Sequence, residues 1–332
     1  MSATSAIEWT EATWNPVRGC TEVSAGCRHC YAKTFAERFR GTAGHPYELG
    51  FDPRTAPEKL LDPFNWSTPR FIFTNSMSDL FHEEFDEIYV TAVLDAMRLA
   101  DWHVYQVLTK RAERMQRMVS NWWDCREGSE KRFDEAAPHV WLGVSCENAG
   151  VLHRVEMLRA TPAAVRFLSC EPLLGPLGSI DLEGIHWVIV GGESGNKKTV
   201  QPMHPRWVGQ VHQQCLNQDV SFFFKQWGNF RPLKDDDSDD LKARAIEVSD
   251  GTHLPGDGIN AMRPRIMPTS QNQAVQMVKV GKKRAGRQFW NTTWDEKPPW
   301  NAPASPLKER PTAAYRQQRL AEWKELHGRL LG

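Results

Sequence analysis

The chain has 332 residues, of which 40% are hydrophobic and 25% are charged, so it can bury a full core as one large domain or two ordinary ones. Lys plus Arg and Asp plus Glu both count 41, which excludes an overall field that would hold the protein on nucleic acid or anionic lipid. No apolar run approaches the roughly eighteen residues of a membrane span, and residues 1–10 lack the basic start and apolar core of a signal peptide. We therefore expect a globular, cytoplasmic protein with no membrane partner.

Three cysteines close to the N-terminus, Cys20, Cys27 and Cys30, are spaced C-x6-C-x2-C. Three thiolates on a short loop suit zinc or an iron–sulfur cluster, because each gives up its proton to a metal and the loop can point all three at one centre. A cubane cluster normally takes four cysteines, so a triplet leaves one iron open to a cofactor or substrate. The alternative is a structural zinc site that His29 or His45 completes.

Short apolar runs alternate with helical patterns over the first 228 residues. After a first strand that leads into the cysteine loop, strands are predicted at 70–74, 103–108, 140–144, 165–168, 186–190 and 221–224. Helices are predicted at 31–39, 84–100, 111–122, 150–159 and 205–218, with a surface loop at 42–68. Strands that are continuously apolar and alternate with helices indicate a parallel sheet covered by helices. The predicted fold is α/β, a complete or partial parallel (β/α) TIM-like barrel with a C-terminal extension.

Polar residues recur directly after the predicted strands. They include Asn75, Ser145, Glu147, Glu171, Glu193 and Lys225. In a parallel barrel these positions converge on the C-terminal face, where barrel enzymes keep their active sites, so we expect them to share one cavity with the cysteine loop. The glutamates could instead cap the helix or loop that follows each strand. Lys225 could hold an anion or transfer a proton, or it could form a salt bridge to one of the glutamates.

Two further stretches each have two interpretations. Asp79, His82 and Glu83 would suit a metal site or a proton relay. Acidic residues at this point also fit the first turn of a helix that Asp79 caps, and this is the interpretation that we expect. Gly191 and Gly192 could admit a ligand, or they could simply let the chain turn tightly out of a strand.

The C-terminal part differs in composition, and we predict a barrel domain at 1–228 and an extension at 229–332. The extension begins with an acidic run at 235–240 and continues with a basic, glycine-containing segment at 279–287 that could bind phosphate through its backbone N–H groups. A terminal amphipathic helix is predicted at 313–331. Its apolar side is formed by Tyr315, Leu320, Trp323, Leu326 and Leu330.

Several blocks of sequence, in order, resemble one family. They are the three-cysteine loop, SMSDLFHE at 76–83, VLTKR at 107–111, VWLGVS at 140–145, FLSCEPLLGP at 167–176, VIVGGESG at 188–195, FFFKQWG at 222–228, VGKKRAGR at 280–287 and WDE at 294–296. Together they are similar to phage and prophage-associated proteins of unknown function that carry a three-cysteine motif and resemble radical S-adenosylmethionine enzymes. The common loop of those enzymes is C-x3-C-x2-C, whereas six residues separate Cys20 from Cys27 here.

The resemblance implies a [4Fe-4S] cluster on Cys20, Cys27 and Cys30, with S-adenosylmethionine closing the fourth iron. Radical chemistry would then be the cofactor's, and the protein would supply orientation and a dry cavity. Catalytic roles are expected for Lys225 and Glu171. Cofactor binding is expected of Asn75, Ser145, Glu147, Gly191, Gly192 and Glu193.

The expected substrate is nucleic acid or a nucleotide, and an electron-donor protein is an expected partner. The alternative function is an iron–sulfur or zinc-binding protein that recognises nucleic acid or a partner protein without turnover.

Overall fold

The computed structural model of the protein describes residues 5–122, 131–195, 199–250, 274–299 and 309–331. The chain divides into two compact units. The first unit comprises Met1–Ser145, Arg154–Phe167 and Pro298–Gly332, and the second comprises Cys146–His153 and Leu168–Lys297. The predicted domain boundary at residue 228 stays a prediction.

The described strands and helices follow one another along the whole chain. The strands are β1 (Ala12–Trp14), β2 (Val17–Arg18), β3 (Arg54–Thr55), β4 (Phe71–Thr74), β5 (Val104–Thr109), β6 (Val140–Ser145), β7 (Arg166–Cys170), β8 (Trp187–Gly191), β9 (Ser221–Gln226), β10 (Phe230–Pro232), β11 (Ile246–Val248), β12 (Val275–Lys279), β13 (Gln288–Phe289) and β14 (Thr292–Thr293). The α-helices are α1 (Tyr31–Ala36), α2 (Asp62–Asn65), α3 (Glu87–Leu99), α4 (Ala112–Asn121), α5 (Phe133–Ala136), α6 (His153–Ala160), α7 (Pro205–Asn217), α8 (Asp239–Ala243), α9 (Lys282–Ala285) and α10 (Ala313–His327). Short 3-10 helices lie at Ala25–Cys27, Glu37–Phe39, Pro57–Lys59, Ala149–Val151 and Gly328–Leu331.

One sheet of seven strands has the order β1-β4-β5-β6-β7-β8-β9. The pairs β1–β4, β4–β5, β5–β6 and β8–β9 are parallel, as the continuously apolar strands predict. All residues of β6 and β8 are buried, because a parallel sheet is covered on both faces. The predicted α/β class and the seven strands are therefore confirmed.

The sheet is open, so the prediction of a complete barrel is wrong and the partial barrel is the compatible form. Its outermost strands in the order are β1 and β9, which are not paired with each other within the described ranges. The free edge of β9 is instead covered by a segment of the second unit. Phe224 N donates to Trp294 O at 2.9 Å, and Phe222 N donates to the Glu296 carboxylate at 2.8 Å. These bonds occupy donors that a closing strand would need.

In the first unit, helices α3 and α10 pack together. The Asp86 carboxylate accepts a hydrogen bond from Ile88 N at 2.7 Å, so α3 begins at Glu87, three residues later than predicted. Trp323 of α10 is completely buried and donates from Nε1 to Ala92 O of α3 at 2.9 Å. Leu326, predicted on the same apolar side, is 51% exposed, so that part of the prediction is wrong. The predicted loop at 42–68 contains the short elements β3 and α2.

The second unit adds small antiparallel elements to its end of the large sheet. Strands β10, β12 and β11 form a three-stranded sheet, and β13 pairs with β14. One residue of the acidic run at 235–240 is held by this unit, since Arg231 Nη1 donates to the Asp237 carboxylate at 2.7 Å. No helix in the described part of the chain is both long and apolar enough to cross a membrane.

Candidate functional site

The cysteine loop lies in the first unit, after β2, and backbone hydrogen bonds fix the point at which it begins. Gly19 N donates to Met77 O at 3.2 Å, and Cys20 N donates to Phe51 O at 3.1 Å. Gly19 has a φ of +77°, and a Cβ there would overlap the carbonyl of Asp52. Only glycine fits this crossing without strain, so the loop enters along a defined path.

The three cysteines are partly exposed thiols that form no disulfide. Cys20 and Cys30 pack at the edge of a small core formed by Ala32, Ala36 and Phe51. In the part of the chain that the structure describes, no group of three or more His, Cys, Asp or Glu side chains is arranged to hold a metal ion. Loading a metal would therefore require the three sulfur atoms to turn toward a common centre, and the metal stays a prediction.

His45, one of the two histidines considered as a fourth zinc ligand, is engaged in other contacts. Its Nδ1 accepts a hydrogen bond from Tyr47 N at 3.1 Å, and its ring stacks on Phe39 with centroids 3.9 Å apart. A zinc site that uses His45 would have to break the hydrogen bond from Tyr47 N, because a neutral imidazole that binds metal through Nε2 carries its proton on Nδ1. His29, which lies on the loop itself, keeps the zinc alternative open.

Arg111 is one of the polar residues that follow a predicted strand, but the sequence gives no sign of its contact with the cysteines. It lies two residues after β5, its side chain is only 4% exposed, and its Nη1 donates to Cys20 Sγ at 3.3 Å. The same guanidinium donates to Asp79 Oδ2 at 3.2 Å, to Glu83 Oε2 at 2.7 Å and to Thr21 Oγ1 at 2.9 Å. One buried cation therefore holds the cysteine loop, with two carboxylates to balance its charge.

Asp79 forms part of this cluster, so its prediction as a helix cap is wrong. Its carboxylate accepts from Thr109 Oγ1 at 2.7 Å and from Lys110 N at 3.1 Å, both at the end of β5. Helix α3 begins eight residues later and is capped by Asp86. The Asp79 carboxylate therefore anchors the Arg111 side chain to the C-terminal edge of the sheet.

Burial and the neighbouring carboxylate disfavour charge on Cys20. Burial raises the pKa of the Cys20 thiol to about 12, with Asp79 adding to the increase and Arg111 opposing it. Burial also opposes the charge on Arg111, but Asp79, Cys20 and Glu83 outweigh it and raise the pKa of the guanidinium above its ordinary value. At neutral pH the Cys20 thiol keeps its proton, and a metal ion would have to displace that proton to bind.

His82 contacts the same loop. Glu84 N donates to His82 Nδ1 at 3.2 Å, so the neutral ring carries its proton on Nε2 and donates to Thr21 Oγ1 at 2.7 Å. Burial and the positive charge of Arg111 lower the pKa of His82. The imidazole is thus a neutral hydrogen-bond donor to the cysteine loop.

Asn75 and Ser145 are also in the first unit. Both residues are buried, Asn75 at 3% and Ser145 at 1% exposure. The Ser145 carbonyl accepts a hydrogen bond from Arg154 Nη1 at 2.8 Å. The Asn75 Oδ1 and Nδ2 atoms are both buried and have no hydrogen-bond partner among the described residues.

In the second unit, Glu171 and Lys225 form an ion pair. Lys225 Nζ donates to Glu171 Oε2 at 2.7 Å, and the two side chains are 16% and 15% exposed. Of the alternatives for Lys225, the salt bridge to a glutamate is the one that the structure contains. Glu171 Oε1 and Ser169 Oγ, two residues apart on the chain, are buried without a partner within the described ranges.

The two glycines after β8 are closely packed. A Cβ on Gly192 would overlap the carbonyl of Trp227, so this position serves the tight passage of the chain. A Cβ on Gly191 would lie 3.2 Å from Glu171 Cγ, which places this glycine against the ion pair. Of the two interpretations of these glycines, the tight turn out of the strand is the one that Gly192 fits.

The remaining two glutamates are buried in the second unit. Glu193 Oε2 accepts a hydrogen bond from Gln201 N at 2.7 Å, as an acidic side chain does when it caps a loop. The side chain of Glu147 is completely buried, and its carbonyl accepts from Leu174 N at 2.8 Å. Their predicted role in cofactor binding stays a prediction.

Neither the curated proteins nor the solved structures contain a match to this chain. Residues 4–298 match a family model described as "Protein of unknown function (DUF5131)", a description that names neither a reaction nor a cofactor. Because the match spans nearly the whole chain, this protein belongs to the DUF5131 family of proteins of unknown function.

Proposed function

We propose that this protein holds an iron–sulfur cluster on Cys20, Cys27 and Cys30 and uses it with S-adenosylmethionine in radical-type chemistry on nucleic acid or a nucleotide. The observation that carries the proposal is the contact between the buried Arg111 guanidinium and Cys20 Sγ. A metal-bound thiolate is negatively charged, and a fixed hydrogen-bond donor to its sulfur stabilises that charge. A buried guanidinium offsets the negative charge of a metal-bound thiolate, whereas a neutral structural thiol has no charge to offset.

The three thiols of the cysteine loop suit an iron–sulfur cluster. Three soft sulfur ligands suit iron, and a loop that contributes three ligands to a cubane cluster leaves one iron for an outside ligand. The chemistry that a reduced cluster of this kind supplies is one-electron transfer to S-adenosylmethionine. Arg111, Asp79 and Thr21 then keep the loop in place while the thiols lose their protons.

The second unit carries polar groups of its own that can bind an anion. Lys225 Nζ can hold an anionic oxygen, and Glu171 Oε1 is a buried acceptor that still lacks a donor within the described ranges. A proton on Lys225 Nζ is shared with Glu171 Oε2, so the pair can pass it to a bound group. Exposed positive charge on α9, at Lys282, Lys283 and Arg284, fits a substrate that carries phosphates.

The test is anaerobic purification followed by iron and sulfide counts and electron paramagnetic resonance of the reduced protein. We expect about four irons per chain, as in a cubane cluster, and a spectrum that S-adenosylmethionine changes. The triple substitution Cys20→Ser, Cys27→Ser and Cys30→Ser should abolish iron. Cys215→Ala, at a buried cysteine of the second unit, is the matched control and should retain it.

Two outcomes would contradict the proposal. Zinc in place of iron would support the alternative of a structural or binding protein without turnover. A cluster whose spectrum is indifferent to S-adenosylmethionine would remove the radical reaction and leave an iron–sulfur protein with a redox or binding role.

A further inference from the structure

The Asn75 side chain is a buried amide that the fold itself leaves unused. Its Oδ1 and Nδ2 atoms have no partner in the part of the chain that the structure describes, although the residue is only 3% exposed. Buried polar groups in folded proteins nearly always have a hydrogen-bond partner, because an unsatisfied one loses its bonds to water without compensation. A buried amide with both halves unsatisfied therefore points to a partner from outside the chain.

Asn15, by contrast, has an amide that the fold uses fully. Asn15 Oδ1 accepts from Met77 N at 2.8 Å, and Asn15 Nδ2 donates to Ser76 Oγ at 3.1 Å. Asn15 thus fixes the turn after β4 with both halves of its amide. Asn75 immediately precedes that turn and contributes neither half to it.

The position of Asn75 suits a ligand. It directly follows β4, at the C-terminal edge of a parallel sheet, where α/β proteins bind their ligands. The next residue, Ser76, accepts through its carbonyl a hydrogen bond from the hydroxyl of Tyr31, the neighbour of Cys30 in the chain. Ser76 and Met77 are partly exposed, so the chain reaches the protein surface directly after Asn75.

The chemistry of the amide limits what can bind. A primary amide presents an acceptor beside a donor, so its full complement is a donor beside an acceptor. An amino-substituted nucleobase has this edge: adenine offers its N6 amino group beside N7 or N1, and cytosine offers its N4 amino group beside N3. A phosphate or an ammonium group would satisfy only one half of the amide.

We infer that Asn75 binds the amino edge of an adenine or cytosine base, through one bond that Nδ2 donates and one that Oδ1 accepts. The inference rests on the proposed function for the identity of the molecule that carries the base, since S-adenosylmethionine and nucleotides both contain one. The site itself does not depend on iron.

The experiment measures binding of adenosine, cytidine, N6,N6-dimethyladenosine and N4,N4-dimethylcytidine to the full chain by calorimetry, with S-adenosylmethionine as a fifth probe. The two dimethylated nucleosides keep the ring nitrogen acceptor but have lost both N–H groups of the exocyclic amine. We expect adenosine or cytidine to bind at least about tenfold more tightly than its dimethylated counterpart, because the bond to Asn75 Oδ1 is lost. Equal binding of all four nucleosides, or of none, would overturn the inference.

Substitutions then separate a ligand role from a structural one. Asn75→Leu should remove the discrimination and leave the urea midpoint of unfolding unchanged or higher, because it replaces an unsatisfied amide by an apolar group of similar volume. Asn15→Leu is the matched control and should lower the midpoint, because it breaks bonds that the fold uses. Asn75→Ala serves as a second variant if the larger side chain prevents folding.

If Asn75→Leu were destabilised like Asn15→Leu and bound nucleosides like the parent, the amide would be satisfied by the fold and the inference would fail. Iron counts on the same samples keep the two proposals apart. A parent protein that selects the unmethylated nucleosides but contains no iron would contradict the cluster and leave the Asn75 site standing.

Discussion

Arg111 connects two stretches of chain that lie 91 residues apart, since its guanidinium reaches from the end of β5 to Cys20 Sγ. Its charge is balanced by Asp79, whose side chain is 7% exposed, and by Glu83, whose side chain is 64% exposed. The Asp79 contact therefore carries most of the electrostatic stabilisation, because water screens the Glu83 contact. The same arrangement makes Arg111 sensitive to substitution.

Arg111→Gln should lower the free energy of unfolding by about 3 kcal/mol, because it leaves the buried Asp79 carboxylate without its cation. If the cluster is present, this variant should also lose iron or lose it faster in air. The measurements are urea denaturation and iron per chain after anaerobic purification. Arg114→Gln is the control, since Arg114 donates to the carbonyls of His82 and Phe85 and, within the described ranges, forms no hydrogen bond to the cysteine loop. Equal iron loss in both variants would contradict a specific role for Arg111.

The Glu171–Lys225 ion pair should be energetically coupled, because both side chains are mostly buried. A double-mutant cycle with Glu171→Gln and Lys225→Met should give a coupling energy of about 1–2 kcal/mol. The exposed pair Arg244–Asp240, whose side chains are 65% and 75% exposed, is the comparison and should show coupling near zero. A coupling as small for the first pair as for the second would mean that water separates Glu171 from Lys225 in solution.

Helix α10 buries one large apolar side chain against α3. Trp323 is fully buried against α3, and the neighbouring turn adds a bond between His327 Nε2 and Asp95 Oδ2 at 2.7 Å. Trp323 also donates to the carbonyl of Ala92, so its indole is satisfied where it is buried. The terminal helix therefore depends on Trp323 more than on its other apolar residues.

Trp323→Ala should cost about 4 kcal/mol of unfolding free energy, as large-to-small changes of a buried aromatic residue do. Leu326→Ala, one turn further along the same helix but 51% exposed, should change it by less than about 0.5 kcal/mol. Thermal or urea unfolding of the two variants measures the difference. Similar effects of both substitutions would mean that the apolar side predicted from the sequence, and not the one in the structure, faces the core.

The strands could be predicted from the sequence because a parallel sheet buried on both faces requires continuous apolar runs, such as Val140–Ser145 and Trp187–Gly191. Barrel closure could not be predicted, because it depends on which segment pairs with the edge of β9. That segment is 294–296, seventy residues further along the chain. Strand patterns carry no signal for a contact of this kind.

The site was predictable where the chemistry is local in sequence. The three cysteines lie within eleven residues, so their spacing alone suggests a shared ligand. The contact of Arg111 with Cys20 and the unused amide of Asn75 are visible only in three dimensions, because they depend on what each side chain touches. For Glu171 and Lys225 the sequence offered a salt bridge as one alternative, and only the fold could select it.

Four buried histidines of the described chain link the stability of the molecule to pH. Burial lowers the pKa values of His82, His103, His139 and His212, that of His103 from 6.5 to about 3. His103 Nε2 donates to Pro63 O at 3.2 Å and His139 Nε2 donates to Met97 O at 2.8 Å, so each ring already uses the proton of its neutral form. A second proton would place a positive charge in the core, where little can solvate it.

The unfolded chain binds a proton at such a histidine when the pH falls below about 6.5, whereas folded His103 does so only near pH 3. The stability that this histidine contributes is therefore complete above pH 6.5 and is lost as the pH falls from 6.5 toward 3. Within that window the loss from His103 approaches about 1.4 kcal/mol per pH unit. The carboxylate of Asp237 affects stability only at a lower pH. The hydrogen bond from Arg231 lowers the pKa of Asp237 to about 2, so the stability that Asp237 contributes is lost as the pH falls from 3.8 toward that value.

Unfolding free energies measured by urea between pH 7.5 and 5 should therefore fall with a slope that reports the buried histidines and not the carboxylates. His103→Gln keeps an N–H donor but has no titratable ring, so its slope should be smaller than that of the parent by up to one proton. His153→Gln is the control, because it makes the same change at an exposed histidine. If His103→Gln kept the full slope, the ring of His103 would be taking up its proton in the folded state as readily as in the unfolded chain, and the acid sensitivity would have to come from other groups.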